Sequence, residues 1–334
     1  MATGSEEELT VGDLGERGTL ARILPLLPGS SALEVGPGDD SAVVQLANAQ
    51  VVTTCDMMIE GPDFRLDWSR PDDIGYKAMT SNLADIAAMG ATPVGVIVAV
   101  AAPIDTPVST LVGISRGIAK GLGDMAPEAG VLGGDLSTSS ALTIAVTVLG
   151  QLEGRAPVLR SGAQVGDIVA VTGDPGRSHR GYLALAAASA DHGGTLPESV
   201  RDELRRDDSV AHHLAPRVDL TLGPRAATAG ASAMMDVSDG LVLDATRLAE
   251  ASGVAVDFDP AHVVDDAWLM GGEDHGMLAT FPPGTDLPEG FHTVGQVVDH
   301  IGGHPRVTVG GSQPEIERGG WDPYRDSVTT RVSP

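Results

Sequence analysis

Apolar and polar positions divide the 334-residue chain into two stretches of mixed helix and strand signals. Leu14, Leu20, Ile23, Leu24 and Leu27 predict a helix over 5–28, closed by Pro28-Gly29. Strands are expected at 41–46 and 50–56, the second running straight into Asp56. Tyr76, Met79, Leu83, Ile86 and Gly90 form one stripe of a helix over 72–89. Lys77, Ser81 and Asp85 fall at i, i+4 and i+8 on a different face, with Asn82 beside them. That face is either solvated or carries a polar set for chemistry. A strand over 94–102, a helix over 110–122, a strand edge at 131–132 and a strand over 141–149 follow. The order predicts an α/β sandwich with helices on one sheet face. The polar stretch 153–162 reads as a connection, so two domains are expected, 1–152 and 153–334. The second restarts with a strand over 167–172, a turn at 173–178, an Ala-rich helix over 182–190 and a polar stretch over 191–209. A helix over 241–252 and strands at 254–258, 277–281, 293–298 and 306–309 complete it.

Acids beside Gly or small hydroxyl residues recur at the ends of these apolar runs. They are Gly-Pro-Gly-Asp-Asp (36–40), Thr-Thr-Cys-Asp (53–56), Gly-Gly-Asp (133–135), Asp-Val-Ser-Asp-Gly (236–240) and Gly-Gly-Glu-Asp (271–274). A Gly-rich turn lets the backbone approach whatever the acids hold. The pattern implies a fold that brings the acids together. Ser238 and Asp239 are also good N-cap types, but a cap needs only one of them.

Charge sharpens this picture. The chain has 46 acids against 21 bases, a formal net of −25, which excludes phosphate backbones and anionic lipid as partners and favours divalent cations. The single Cys55 rules out an internal disulfide. The start lacks a basic and an apolar region, and the apolar stretch 94–103 is too short to span a bilayer, so a soluble cytoplasmic protein is expected. Carboxylates without Cys or His at zinc spacing select Mg²⁺ before Zn²⁺. A chain this acidic needs such ions to accept ATP. Phosphate has three candidate backbone sites: Gly133-Gly134, the turn at 173–178 and the helix start after Ser238. Arg160 and Arg177 are either phosphate cations or surface arginines. No Walker loop or protein-kinase signature is present. Cys55 sits in a strand beside an acid, which favours a structural or ligand-side role over a nucleophile.

Together with Tyr-Lys-Ala-Met-Thr-Ser-Asn-Leu-Ala-Asp-Ile-Ala-Ala-Met-Gly-Ala (76–91), Leu-Arg-Ser-Gly-Ala (159–163) and Gly-Trp-Asp-Pro-Tyr (320–324), these motifs resemble the thiamine-monophosphate kinase family over nearly the whole chain. Single motifs are shared with aminoimidazole ribonucleotide synthetase and selenophosphate synthetase. The resemblance implies an N-terminal α/β domain that pairs with its twin in a homodimer, a C-terminal α/β domain, and ATP in the cleft between them. It implies transfer of the ATP γ-phosphoryl group to thiamine monophosphate. Asp40, Asp56, Asp85, Asp135, Asp236 and Asp239 match the family's Mg²⁺ ligands, all but Asp239 counted as catalytic, and Thr54 and Cys55 match supporting positions. Gly134, Asp135, Arg160 and Ser238 match nucleotide contacts; Glu273 and Trp321 match substrate contacts. Asp63 stands at a substrate position where the family commonly has His, Cys55 replaces Thr, Leu136 replaces Thr, and His275-Gly-Met replaces Tyr-Glu-Leu. The acceptor, a phosphate monoester with a second pKa of about 6, needs no general base, so no paired His–acid device is expected. The alternatives are aminoimidazole ribonucleotide synthetase on the same fold and a non-catalytic acidic cation-binding protein.

Overall fold

A computed structural model describes residues 9–35, 43–46, 50–302, 306–316 and 320–321. Helix α1 (Val11–Ile23) opens the described chain, capped by Thr10 and Asp13 in a reciprocal box, and runs into a 3₁₀ turn, Leu24–Leu26. It starts later than the predicted 5–28 because Thr10 supplies the cap. A short hairpin, β1 (Leu33–Val35) with β2 (Val43–Val44), follows. Asp39 and Asp40 lie outside the described residues.

The first sheet contains β3 (Val52–Ile59), β4 (Thr92–Ala102), β5 (Gly130–Thr138) and β6 (Thr143–Gln151) in the order β3-β6-β4-β5. Only β4 and β5 pair in parallel. On one face lie α2 (Pro71–Ala88) and α3 (Val108–Met125), as the pattern predicts. Pro71 at the first turn and the Asp73 carboxylate, which accepts the Arg70 N–H at 2.8 Å, start α2. Ile144, Val146 and Val148 of β6 fill the interface below the helices. The opposite sheet face leaves Met57 58% and Ile97 41% exposed.

The second sheet joins β7 (Ile168–Thr172), β8 (Ala233–Asp236), β9 (Ala255–Phe258), β10 (Met277–Phe281), β11 (Phe291–Val298) and β12 (Val307–Val309) in the order β12-β9-β11-β7-β10-β8. Alternation assigns its faces. Val169, Val171, Met235 and Leu278 pack with the apolar side of α8 (Leu241–Ser252), whereas Ala170, Met234, Ala279 and Phe281 join the core around α2. Helix α2 therefore lies between the two sheets. Ile86 presses on β6, where a Cβ on Gly150 would meet it at 2.4 Å. The Ala87 carbonyl presses on α7 (Leu222–Ala229), where a Cβ on Gly223 would meet it at 1.9 Å. This enclosure decides the question left by the sequence: Lys77 and Asn82 are buried, and Ser81 and Asp85 are only partly exposed, so the second face of α2 is not an open solvated surface.

The stretch 191–209, read as merely polar, contributes α5 (Glu198–Leu204) and the start of α6 (Asp208–Leu214), which lie with α4 (Arg177–Asp191). Both are one-sided surface helices, and α5 buries no residue, so periodicity could not reveal them. Trp68 reaches from the first half into the apolar cluster of Leu185, Leu196, Val210 and Leu214. Arg205 forks onto Asp73 at the start of α2, with Nη2 2.8 Å from Oδ1. The five-residue α9 (Asp266–Met270) precedes the Gly-Gly-Glu-Asp loop. Among the described residues no helix is long and apolar enough to cross a membrane.

Candidate active site

The enclosed face of α2 presents Lys77, Ser81 and Asp85 in a row, and each meets a different element. The Thr54 hydroxyl of β3 donates to Asp85 Oδ2 at 2.6 Å. One residue along the inner face of β3, the Asp56 N–H donates to Asn82 Oδ1 at 3.0 Å. Asp56 thus lies inside the strand, which continues to Ile59, and not at its end as the apolar run suggested.

From the second half come the segment after β8 and the loop 271–276, zipped together by backbone bonds. Glu273 N–H donates to Ser238 O at 2.8 Å, His275 N–H to Val237 O at 2.9 Å and Val237 N–H to Gly276 O at 2.8 Å. Glu273 (φ 64°) and His275 (φ 54°) both hold left-handed backbone, at a cost of about 1 kcal/mol or more each. Glu273 Oε1 lies 2.9 Å from Lys77 Nζ and its Oε2 3.3 Å from His213 Nδ1. His275 lies between Ser81 Oγ (3.1 Å) and Asp236 Oδ2 (3.2 Å). Asp274 accepts the Gly176 and Ser178 N–H groups at 2.6 and 2.7 Å at the start of α4. The twist is what sends Glu273 and His275 to α2 and Asp274 to α4. Among the described residues three His–carboxylate pairs, His275–Asp236, His213–Glu273 and His212–Asp274 (3.5 Å), are therefore present, contrary to the expectation of none.

The predicted N-cap of α8 is also corrected. Gly240 holds that position, and the buried Asp244 accepts the N–H groups of Ser238 (3.1 Å), Asp239 (3.1 Å) and Gly240 (3.2 Å) through Oδ2. Its location one turn into α8 is the only hint the sequence offers. Arg247 pairs with Asp239 and Asp244, and Trp321 N–H donates to Asp239 O at 2.8 Å.

The acids feel one another. Burial first, then the charges of Asp236 and Asp56, push Asp85 up to about 7, against the Thr54 bond and His275. Burial, Asp236 and Asp239 likewise push Asp244 up to about 7. Asp56 is raised by the protein around it and then by Asp236, Asp239 and Asp63, with His275 opposing. Carboxyls raised in the folded state bind protons that the unfolded chain releases. Their contribution to stability is complete below the ordinary carboxyl range and is lost as pH rises through about 7. The metal-free protein is accordingly expected to melt several degrees lower at about pH 8 than at about pH 6. A melting temperature that is flat or rising across that interval, measured in chelator, would contradict it.

Thr54, Asp56, Asp85, Asp236, Ser238, Asp239 and Glu273 thus gather around α2, with Asp63 next to them: its carbonyl accepts from Lys77 Nζ at 3.3 Å. Asp63 Oδ2 also accepts the Ile59 N–H at 2.7 Å, a turn-closing role not foreseen. Cys55 and Asp135 are not brought to this face. In the strand register Cys55 aligns with Thr147 and Ile97, and Asp135 with Ala99, Ala145 and Met57, on the sheet face away from α2. Gly134 precedes Asp135 inside β5, an edge strand of nine residues and not only the short piece at 131–132. Arg160 is exposed, and its carbonyl accepts from Ser252 Oγ at 3.1 Å, at the opposite end of α8 from Ser238. Among the described residues, no three His, Cys, Asp or Glu side chains form a group able to hold one metal ion.

Comparison with known proteins assigns the lineage. Residues 38–152 match the family described as AIR synthase related protein, N-terminal domain, and 164–287 match its C-terminal domain. A thiamine-monophosphate kinase from Mycobacterium tuberculosis is 38% identical over 324 residues, covering 92% of this chain and 91% of that protein. The chain belongs to the thiamine-monophosphate kinase family. Another member, from Corynebacterium glutamicum, is 40% identical over 307 residues, covering 86% of this chain and 87% of its own. The solved structure named AaThiL complexed with AMPPCP and TMP aligns with a TM-score of 0.68 at 27% identity, covering 95% of this chain and 99% of that one. In this thiamine-monophosphate kinase family member, His213, Asp244, Arg247 and His275 are the residues of the site that sequence reasoning assigned no role.

Proposed function

We propose that this chain transfers the γ-phosphoryl group of ATP to thiamine monophosphate, giving thiamine diphosphate. The observation that carries the reading is the convergence of acids from both halves on one enclosed helix, in a chain this similar to thiamine-monophosphate kinases. The acceptor phosphate is already largely dianionic near neutral pH, so the obstacle is repulsion between two anions and not a proton to be removed.

The donor set fits Mg²⁺. It is carboxylate and hydroxyl oxygen, and Asp56 and Asp85 are raised partly by neighbouring carboxylates, a surplus of negative charge that a hard cation relieves. Asp56, Asp85, Asp236 and Asp239 would share several such ions, one or two carboxylates to each, with Asp40 as a further ligand, and bound Mg²⁺ would supply charge neutralisation between the two phosphates. The protein's own groups do the placing. Thr54 and His275 fix the rotamers of Asp85 and Asp236, Asn82 fixes the Asp56 backbone, and Lys77 with His213 orients Glu273 toward the substrate position. These His groups serve as holders of carboxylates, and no base is required of them. Asp63 adds charge beside Asp56, which disfavours an incoming phosphate. Asp63→Asn keeps an acceptor for the Ile59 N–H and is expected to lower the KM for thiamine monophosphate about two- to fivefold; an increase in KM would show that the charge itself engages the substrate.

A second copy of the chain suits the face of the first sheet where, among the described residues, Met57, Ile59 and Ile97 are exposed beside Cys55. Ile97→Asp is expected to convert a dimer to a monomer in analytical ultracentrifugation. A monomeric parent, or a variant that stays dimeric, would remove that part of the reading.

The deciding assay incubates the protein with ATP, Mg²⁺ and thiamine monophosphate and resolves the products. Equal ADP and thiamine diphosphate are expected; ADP with inorganic phosphate alone, or no ATP consumption, would refute the assignment.

A further inference from the structure

Arg247 is a charged component of the site whose chemistry the reading above leaves unused. It lies eight residues after Asp239 and three after Asp244, so α8 carries its side chain back toward the helix start. Its Nη1 lies 2.5 Å from Asp239 Oδ2 and 2.7 Å from Asp244 Oδ1. The two acids differ in kind. Asp244 is fully buried, and its second oxygen is committed to three backbone N–H groups, so it is a fixed anchor. Asp239 is 30% exposed and Arg247 38% exposed, so both can meet a ligand from solvent. The hydroxyl of Thr54 holds Asp85 and the ring of His275 holds Asp236, but the partner of Asp239 is a permanent cation.

We propose that Arg247 is an internal counter-cation that occupies Asp239 in the metal-free protein and passes to a nucleotide phosphate when Mg²⁺ takes the carboxylate. The inference rests on the reading that Asp239 meets Mg²⁺ and that the nucleotide lies against Ser238. A divalent ion joining a carboxylate already bonded to a guanidinium meets a positive charge only a few ångströms away. In a partly exposed site that repulsion is worth about a factor of ten in affinity. A phosphate removes the penalty, because its oxygens match the guanidinium fork and its charge replaces that of the carboxylate. The exchange keeps every charge paired. It also makes ion and nucleotide binding mutually reinforcing, since coupling between two ligands is reciprocal. Arg247 is in this sense a positioning residue that sets the order of loading.

The test is calorimetric titration of the full metal-free chain with MgCl₂, alone and with a non-hydrolysable ATP analogue, for the parent, Arg247→Gln and Arg247→Lys. Without nucleotide, Arg247→Gln is expected to bind Mg²⁺ about five- to tenfold more tightly than the parent. Its KM for ATP should rise about tenfold with a smaller change in kcat. Arg247→Lys should restore the parental Mg²⁺ affinity, because it keeps the charge, but not the KM, because it lacks the fork. The Lys variant also tests the idea if the Gln variant does not fold. Parental Mg²⁺ affinity in Arg247→Gln, or parental values on both readouts in Arg247→Lys, would mean that Arg247 only braces Asp244. That would overturn this inference alone. A parent that takes up no Mg²⁺ even with the analogue would overturn the metal reading together with it.

Discussion

Asp236→Asn is expected to reduce turnover by at least about 10³-fold while leaving the fold intact. Asp236 ends β8, is buried, and shares a 3.2 Å contact with His275. An amide has nearly the same shape and still accepts from the ring, so packing and the loop 271–276 are retained. What goes is a charge that Asp56, Asp85 and Asp244 all feel. Its loss relieves the folded state of repulsion, so the melting temperature in chelator should hold or rise. Turnover and melting temperature need to be measured on the same preparation. Parental turnover would sink the account in which acids neutralise phosphate through a cation. Lost turnover with a melting temperature about 10 °C lower would make the effect one of folding instead.

Lys77→Met is expected to cost about 2–4 kcal/mol of stability and to raise the KM for thiamine monophosphate about tenfold or more. The Lys77 side chain is only 6% exposed inside the layer between the sheets, and Met fills the same volume without charge. Glu273, 28% exposed, would then keep its charge beside His213, and partial solvation keeps the cost below that of a fully buried orphan. The left-handed backbone at Glu273 is sustained by such contacts, so its carboxylate should also lose its fixed direction. A double-mutant cycle with Glu273→Gln isolates the pair, and the double variant should be markedly more stable than the sum of the single losses allows. Strict additivity would show that Lys77 acts through packing and not through Glu273.

How far the site could be read in advance follows from what each residue's position depends on. The motifs Asp-Val-Ser-Asp-Gly and Gly-Gly-Glu-Asp are local, and their residues do meet α2. The row Lys77, Ser81, Asp85 was legible as a row, because helical spacing fixes it. Whether it faced water was not, since that depends on a second sheet whose first strand begins only at Ile168. Thr54, Cys55 and Asp56 look equivalent as a string, yet strand alternation sends the middle one to the far face. Asp135 is harder still. The β4–β5 register slips between Val96 and Ile97, and no local pattern announces such an irregularity. Asp244 and Arg247 read as ordinary polar positions of an amphipathic helix, and only the turn of Gly240 shows what they hold. Long periodic elements such as α3 and α8 were found within a few residues of their ends, while α5 and α6 were too short to leave a period.

The placement of α2 between the two sheets also bears on how such a chain can change over generations. Ile86 presses on Gly150 of one sheet and Ala87 on Gly223 of the helix beside the other, with no room for a methyl group at either glycine. A larger side chain on one flank of α2 would displace the helix against the opposite flank, and with it the row that Lys77, Ser81 and Asp85 present. The two halves therefore cannot drift independently: exchange of either one for a distant relative's would carry away half of the lining that α2 needs. Inheritance should act on the pair as a single unit, with compensating substitutions appearing in one half for changes fixed in the other.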